Sequence, residues 1–344
     1  MELHASNHNQ CFFAIKGICI ILMVVGHSGC PDYLGNVIYS FHMPCFFVVS
    51  GCLFKEKYIT DKIAFCKRRF KGLYWEFIKW SLLFLIFHNV LSYIHFYNNS
   101  YSRNEFGIQV FKILTMTGSE QLLGGFWFLK DLLYASIFSL FSISLAHKLC
   151  KTDKGLSRFL MVMMLFYVIL AYILSIVAFK IPTISSEIIL ATAYYLLGYF
   201  IQRLTRIIKV FRLHFAILSG IIVLLSTSLF HGTIDEKGVR LFLYFLISLF
   251  GIYSIFNLSS YIKGQVLCLL DDIGDKTLYI LVFHFTAFKL VSYISLRISG
   301  QSLELLSEFP VLQETDSWMW FVYSLIGIAF PMIAHRVINR TYDK

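Results

Sequence analysis

The sequence has 344 residues, of which 58% are hydrophobic and only 15% are charged, and its mean hydropathy is +0.70. A soluble domain is nearer half apolar with about a quarter of its residues charged, so this composition excludes an ordinary soluble globular protein. The formal net charge of +10 is also found in nucleic-acid-binding proteins, but here the basic residues lie between apolar runs. We therefore predict an all-α integral membrane protein whose basic loops face the lipid bilayer, with no nucleic-acid role.

Apolar runs of membrane-spanning length recur along the whole chain. A transmembrane helix needs about 20 apolar residues, and ten runs approach this length: 12–29, 36–54, 73–96, 126–147, 158–179, 185–202, 213–230, 238–257, 278–298 and 317–337. They predict a single polytopic helical bundle over residues 1–344, with no additional soluble domain.

The loop charges predict how this bundle is oriented. Basic residues cluster at 55–71 and again at 148–158, 203–212, 263–276 and 336–344, which are alternate loops and the C-terminus. By the positive-inside rule these segments are cytoplasmic. With ten spans, both termini are then cytoplasmic, and we expect a multi-pass protein of the cytoplasmic (inner) membrane.

The first two runs carry ionisable residues in apolar surroundings. Lys16 precedes His27 by eleven residues, so at about 100° per residue the two share one helix face, roughly 16 Å apart. His42 lies in the second run, and the short polar turn at 28–36 predicts two antiparallel helices whose histidines approach one site. An ionisable residue inside a span is a functional candidate, although each histidine can equally bond a neighbouring helix. Two histidines and a phase-matched lysine favour function.

Polar residues also interrupt later runs. We interpret Lys79 and Lys289 as structural. His284 is different because it closes the stretch 273–284, IGDKTLYILVFH, which opens the ninth run with a polar cap. This run is predicted to point outward, which places His284 nearer the cytoplasmic side than His27.

The eight cysteines show none of the paired spacings of zinc or redox sites. Most of them lie in or beside apolar runs, where cysteine behaves as a small hydrophobic residue. We therefore predict no metal site.

Three stretches, in this order, resemble acyltransferase family 3, membrane proteins that transfer acyl groups, often acetyl, to carbohydrates and related acceptors. They are Lys16 followed by His27, the stretch 41–51 (FHMPCFFVVSG), and the stretch that ends at His284. The sequence FWFL at 126–129 is also similar to the family's mid-chain aromatic signature. Each motif alone is weak, but their order and spacing cover most of the chain. The family usually has arginine in place of Lys16. Lysine keeps the positive charge but lacks the planar guanidinium group that binds a phosphate or carboxylate through two hydrogen bonds.

The resemblance implies a bacterial membrane O-acyltransferase. It would move an acyl group, most simply acetyl, from cytoplasmic acetyl-CoA as co-substrate to a hydroxyl of a sugar or surface polysaccharide. His27 would be the general base, and His42 and His284 would orient it, bind the acceptor or stabilise the oxyanion. For CoA binding the candidates are Lys16 and the loop residues Arg68 and Arg69, although these arginines serve equally well as topology signals.

Two other classes of protein fit the same features. A proton-coupled transporter or flippase of a carbohydrate-like substrate would use the histidines as a proton relay, whereas a membrane interaction protein would tolerate their loss. The chain lacks the matched broken helices in two halves that point to a secondary transporter. The ordered motifs favour the enzyme.

Overall fold

The computed structural model describes residues 2–177, 183–205, 212–313 and 318–342. Every regular element in these ranges is a helix, which confirms the all-α prediction. The α-helices are α1 Glu2–His27, α2 Asp32–Tyr39, α3 His42–Cys52, α4 Lys57–Thr60, α5 Lys62–Arg69, α6 Trp75–Tyr93, α7 Arg103–Leu114, α8 Trp127–Leu149, α9 Asp153–Ile176, α10 Ser186–Thr205, α11 Leu213–Thr227, α12 Val239–Ser259, α13 Gly264–Asp275, α14 Thr277–Ser299 and α15 Met319–Tyr342. A π-helical turn covers Phe70–Tyr74, and 3-10 helices cover Gln121–Phe126 and Leu303–Ser307.

Within the described residues, six helical stretches are long and apolar enough to cross a membrane: Asp32–Cys52, Gln121–Leu149, Asp153–Ile176, Val239–Ser259, Thr277–Ser299 and Met319–Val337. Phe12–His27 and Leu213–Thr227 are shorter apolar helices. The two other predicted runs, 73–96 and 185–202, contain α6 and α10. The protein is therefore an all-helical membrane protein, while the count of ten spans and the orientation of the termini stay predictions. Of the basic residues used for that orientation, Arg206, Lys209 and Lys344 lie outside the described residues.

The second predicted run is not one continuous helix. Its first helix, α2, ends at Tyr39, and α3 begins at His42 after Phe41, whose φ of −147° and ψ of −20° are not helical. Pro44 lies in the first turn of α3, where its missing N–H has no helical partner to lose. The polar turn predicted at 28–36 is too long, because the chain is already helical from Asp32.

The helices divide into two compact units, and the first comprises Met1–Cys19, Asn36–Leu73 and Asp131–Asp275. In this unit α3 and α10 approach closely at two glycines. A Cβ on Gly51 would lie 1.9 Å from the Tyr195 carbonyl oxygen, and one on Gly198 would lie 1.9 Å from that of Val48. Small residues at such crossings are typical of helices that pack in a membrane.

The second unit comprises Ile20–Gly35, Tyr74–Lys130 and Lys276–Lys344, with α14 packed against several other segments. The 3-10 helix Gln121–Phe126 approaches α14 at Gly125, where a Cβ would lie 2.7 Å from Leu281 Cδ1. On α15, a Cβ at Gly327 would lie 2.6 Å from Phe288 of α14 and 2.8 Å from Val24 of α1. Glycines therefore allow both neighbours to pack close to α14.

Candidate active site

His27 and His284 lie in contact within the second unit. His27 is the last residue of α1 and is half-buried, whereas the exposed fraction of His284 is 0%. The Nδ1 atom of His27 lies 3.2 Å from Nε2 of His284, with the two ring planes 21° apart. The sequence predicted that these two residues lie at different depths in the membrane. Hydropathy locates the end of a span only to within a few residues, and each residue corresponds to about 1.5 Å along the helix. It also does not show how far a helix is tilted.

The hydrogen bonds of this pair indicate which ring nitrogens carry protons. Nδ1 of His284 lies 3.0 Å from the carbonyl oxygen of Ile280 and 3.1 Å from that of Leu281. A carbonyl oxygen only accepts, so Nδ1 of His284 carries the proton and Nε2 of a neutral ring is the acceptor. His27 Nδ1–H then donates to it. The neutral His27 that results has its lone pair on Nε2, the nitrogen required of a general base.

Aromatic side chains support the His27 ring. Phe285 stacks on it, with centroids 5.1 Å apart and planes 20° apart, and Phe309 packs on Phe285 at 4.6 Å. Opposite them, a Cβ on Gly124 would lie 3.3 Å from Phe285 and 3.6 Å from Phe309, so glycine provides the room for both rings. Sequence reasoning missed this group, although the glycine pair just before the motif FWFL was a signal for close packing.

His42 lies in the first unit and is 2% exposed. Its Nδ1 donates to the Ile38 carbonyl oxygen at 2.8 Å. This bond bridges the break between α2 and α3 and satisfies a carbonyl in the last turn of α2. This hydrogen bond supports a structural role for His42, which is not part of the pair formed by His27 and His284.

Lys16 also lies in the first unit, half-buried in α1. Its ammonium lies 4.8 Å from the centroid of the Phe13 ring, and the negative charges that act on it are those of Asp275 and Asp271 in α13. The backbone of α13 reaches α1 at Gly17, where a Cβ would lie 2.1 Å from the Leu270 carbonyl oxygen. This acidic helix gives Lys16 an electrostatic partner that its position in the sequence did not reveal.

Arg68 and Arg69 lie at the end of α5, also in the first unit. Arg69 donates to the Tyr195 hydroxyl at 2.7 Å, and its guanidinium lies 5.1 Å from the Phe65 ring centroid. Arg68 donates to the Tyr58 hydroxyl at 3.1 Å. Within the described residues neither arginine forms an ion pair with a carboxylate.

Over the described residues, no group of three or more His, Cys, Asp or Glu side chains has the arrangement to hold a metal ion. The cysteines whose side chains the structure describes are free thiols: Cys19, Cys30, Cys45, Cys52, Cys66, Cys150 and Cys268.

The fold is that of an all-helical membrane protein, in which the half-buried His27 contacts the fully buried His284. A family model described as an acyltransferase domain, that of acyltransferase family 3, matches residues 10–336, nearly the whole chain. The protein belongs to this family, which confirms the resemblance seen in the sequence. No curated protein and no solved structure matches the chain.

Proposed function

We propose that this protein is a bacterial inner-membrane O-acyltransferase that moves an acetyl group from cytoplasmic acetyl-CoA to a hydroxyl of a sugar or surface polysaccharide. Membership of acyltransferase family 3 supports the acyl transfer. The observation that carries the assignment of the base is the 3.2 Å contact between Nδ1 of His27 and Nε2 of His284.

In the proposed reaction, Nε2 of His27 removes the proton of the acceptor hydroxyl while the hydroxyl oxygen attacks the thioester carbonyl carbon. The carbon–sulfur bond of the resulting tetrahedral intermediate then breaks, and the CoA sulfur leaves with the proton from His27. His284 accepts the Nδ1–H of His27 throughout, which fixes the tautomer and stabilises the imidazolium as the third group of a catalytic triad does. General-base catalysis of this kind contributes about 10²- to 10⁴-fold in rate.

For the donor, we propose that Arg68 and Arg69 bind the phosphates of CoA and that the positive charge of Lys16 assists. The guanidinium fork matches a phosphate group, and a charge-assisted bond of this kind is stronger than a neutral one. We also assign His42 to acceptor binding, the role that the family resemblance implies for it, with its ring oriented by the bond from Nδ1 to the Ile38 carbonyl.

The test uses protein purified into nanodiscs, labelled acetyl-CoA and a panel of sugars, and compares the native chain with His27→Ala. We expect the native chain to release CoA and label an acceptor, and the variant at the same folded yield to do neither. His214→Ala is the matched control, because His214 is exposed on α11 in the other unit. If native protein neither binds nor consumes CoA with any acceptor, the acyltransferase proposal is wrong.

The same histidine contact also favours a second candidate, a proton-coupled transporter or flippase of a carbohydrate-like substrate. Two hydrogen-bonded imidazoles in a helical bundle can pass a proton between them. In liposomes this function predicts gradient-driven substrate movement without consumption of acetyl-CoA. The enzyme function predicts consumption of acetyl-CoA without gradient-driven movement of the substrate.

A further inference from the structure

Lys289 has a fully buried ammonium group in α14, bonded to the loop that follows this helix. Its exposed fraction is 0%, and Nζ donates hydrogen bonds of 2.6 Å to the carbonyl oxygens of Leu306 and Glu308. Lysine is almost never fully buried unless its polar group is paired, because an unbonded amine is costly away from water. These two bonds fasten the loop to α14.

The fastened segment, residues 303–312, is here called the covering loop. Its Phe309 packs on Phe285, the residue that stacks on His27. Its Val311 is 8% exposed, and Cγ2 of this valine lies 3.0 Å from the Cβ position of Gly29 in the turn that follows His27. The covering loop therefore contacts the surroundings of His27 from two directions.

Lys289 does not act on the histidines directly. It follows His284 by five residues, which at about 100° per residue places it roughly 140° around the helix from that histidine. Its influence has to pass through the covering loop, from the carbonyls of Leu306 and Glu308 to Phe309 and then to Phe285.

We propose that Lys289 is a positioning residue for the His27 base, which it orients by fastening the covering loop over the ring of Phe285. This inference rests on the proposed function for its catalytic consequence, but the fastening itself is independent of any activity. A base displaced by about 1 Å loses on the order of 10²-fold in rate, so the loss of two bonds to the loop has a measurable effect on turnover.

The experiment compares native protein with Lys289→Met, which keeps the length of the side chain and removes its N–H donors, and with Lys289→Gln, which keeps an N–H donor. Three quantities are measured: the kcat and KM of acetyl transfer, hydrogen exchange of the peptide 303–313, and the rate at which diethyl pyrocarbonate modifies His27. The matched control is Lys79→Met, because Lys79 lies in the same unit, pairs with Glu76 and has 42% of its side chain exposed.

We expect Lys289→Met to lower kcat by about 10- to 100-fold, with the KM for acetyl-CoA changed less than about twofold because donor binding is untouched. Hydrogen exchange in the covering loop and modification of His27 should both accelerate, and Lys289→Gln should lie between Lys289→Met and the native chain. Lys79→Met should match the native chain in all three measurements. If Lys289→Met does not fold, Phe309→Leu removes the aromatic link alone and should give the same fall in kcat.

Two results would overturn the inference. One is native-like hydrogen exchange in the covering loop and native-like His27 modification in folded Lys289→Met, which means that Lys289 does not fasten the loop. The other is an unchanged kcat although the loop exchanges faster, which means that the fastening does not position the base. If native protein consumes no acetyl-CoA, the proposed function fails, and the exchange and modification rates still decide whether Lys289 holds the loop and the His27 ring.

Discussion

His27 donates from Nδ1 to Nε2 of His284 across 3.2 Å, and the backbone of α14 in turn holds His284 through its own Nδ1. The two imidazoles therefore have unequal roles. In the proposed reaction, His27 exchanges a proton with the substrate and His284 fixes the tautomer of His27. Removing His284 should weaken catalysis without abolishing the base.

The prediction for this pair compares Asn and Gln at position 284. Asparagine places an amide near the Nδ1 position of His284 and can still donate to the Ile280 carbonyl, but it has no acceptor where Nε2 was. We expect His284→Asn to lower kcat on the order of 10²-fold. Glutamine reaches the Nε2 position with its oxygen, so His284→Gln should lose less. A pH profile of kcat checks the assignment, and equal losses in the two variants would contradict it.

A second prediction concerns the arginine proposed to bind CoA. Arg69→Lys keeps the charge but loses the planar fork and the 2.7 Å bond to the Tyr195 hydroxyl. Charged hydrogen bonds contribute about 1.5–3 kcal/mol, which is roughly 10- to 100-fold in affinity. We therefore expect a KM for acetyl-CoA raised by that factor, with kcat nearly unchanged.

The matched control for Arg69 is another arginine that bonds a tyrosine. Arg297 is exposed near the end of α14, and its Nε donates to the Tyr293 hydroxyl at 3.2 Å. Arg297→Lys should leave the KM for acetyl-CoA unchanged. A rise in KM in both variants would assign the effect to general loss of guanidinium groups and not to a CoA site.

The sequence was sufficient to predict the helical class and the histidines, because both depend on local pattern. A run of about 20 apolar residues is helical in a bilayer whatever its partners, and an ionisable residue within it is recognisable by itself. Position 41 is an example of a feature that the local sequence pattern does not predict. The run 36–54 is predominantly apolar on both sides of position 41, so its average hydropathy does not mark the non-helical Phe41 between α2 and α3.

Contacts between distant segments were not predictable in the same way. The partners of Lys289 are backbone carbonyls of Leu306 and Glu308, and a carbonyl is present at every residue, so no side-chain pattern indicates which one is used. The approach of His284 to His27 depends on helix tilt and packing, which neighbouring helices determine. The candidate site residues were thus chosen from the sequence, whereas their arrangement came from tertiary structure.

A third prediction tests the packing of α15 against the site helices. Gly327→Ala places a Cβ 2.6 Å from Phe288 Cε1 and 2.8 Å from Val24 Cγ1, too close for either contact without movement. Overpacking of this kind costs about 1–3 kcal/mol, so we expect a lower Tm in detergent. Gly107→Ala in α7 is the opposite-sign control, because no atom lies within 4 Å of its Cβ position and alanine favours a helix by about 0.5–1 kcal/mol. A Tm for Gly327→Ala at or above that of Gly107→Ala would contradict this packing.

The last prediction concerns a buried pair in the second unit, Glu120 with His88. Oε2 of Glu120 lies 2.6 Å from Nδ1 of His88, and the exposed fraction of each residue is 3%. Burial raises the pKa of the Glu120 carboxyl above its ordinary value of 4.5, against the opposing effect of His88. Folded protein therefore holds this proton more tightly than unfolded protein. The stability that Glu120 contributes is full below pH 4.5 and is lost as the pH rises through the raised pKa.

We accordingly expect the Tm difference between native protein and Glu120→Gln to shrink as the pH rises from about 4.5 towards 7.

Glu105 provides the opposite case, because hydrogen bonds from the Ser102 backbone and hydroxyl lower the pKa of its carboxyl. The contribution of Glu105 is present above its unfolded pKa of 4.5 and is lost as the pH falls below it, so the Tm difference for Glu105→Gln should stay level from pH 4.5 to 7 and shrink at lower pH. Tm curves at several pH values check both signs. A difference for Glu120→Gln that grows with pH would show that pairing with His88 outweighs burial at this carboxyl.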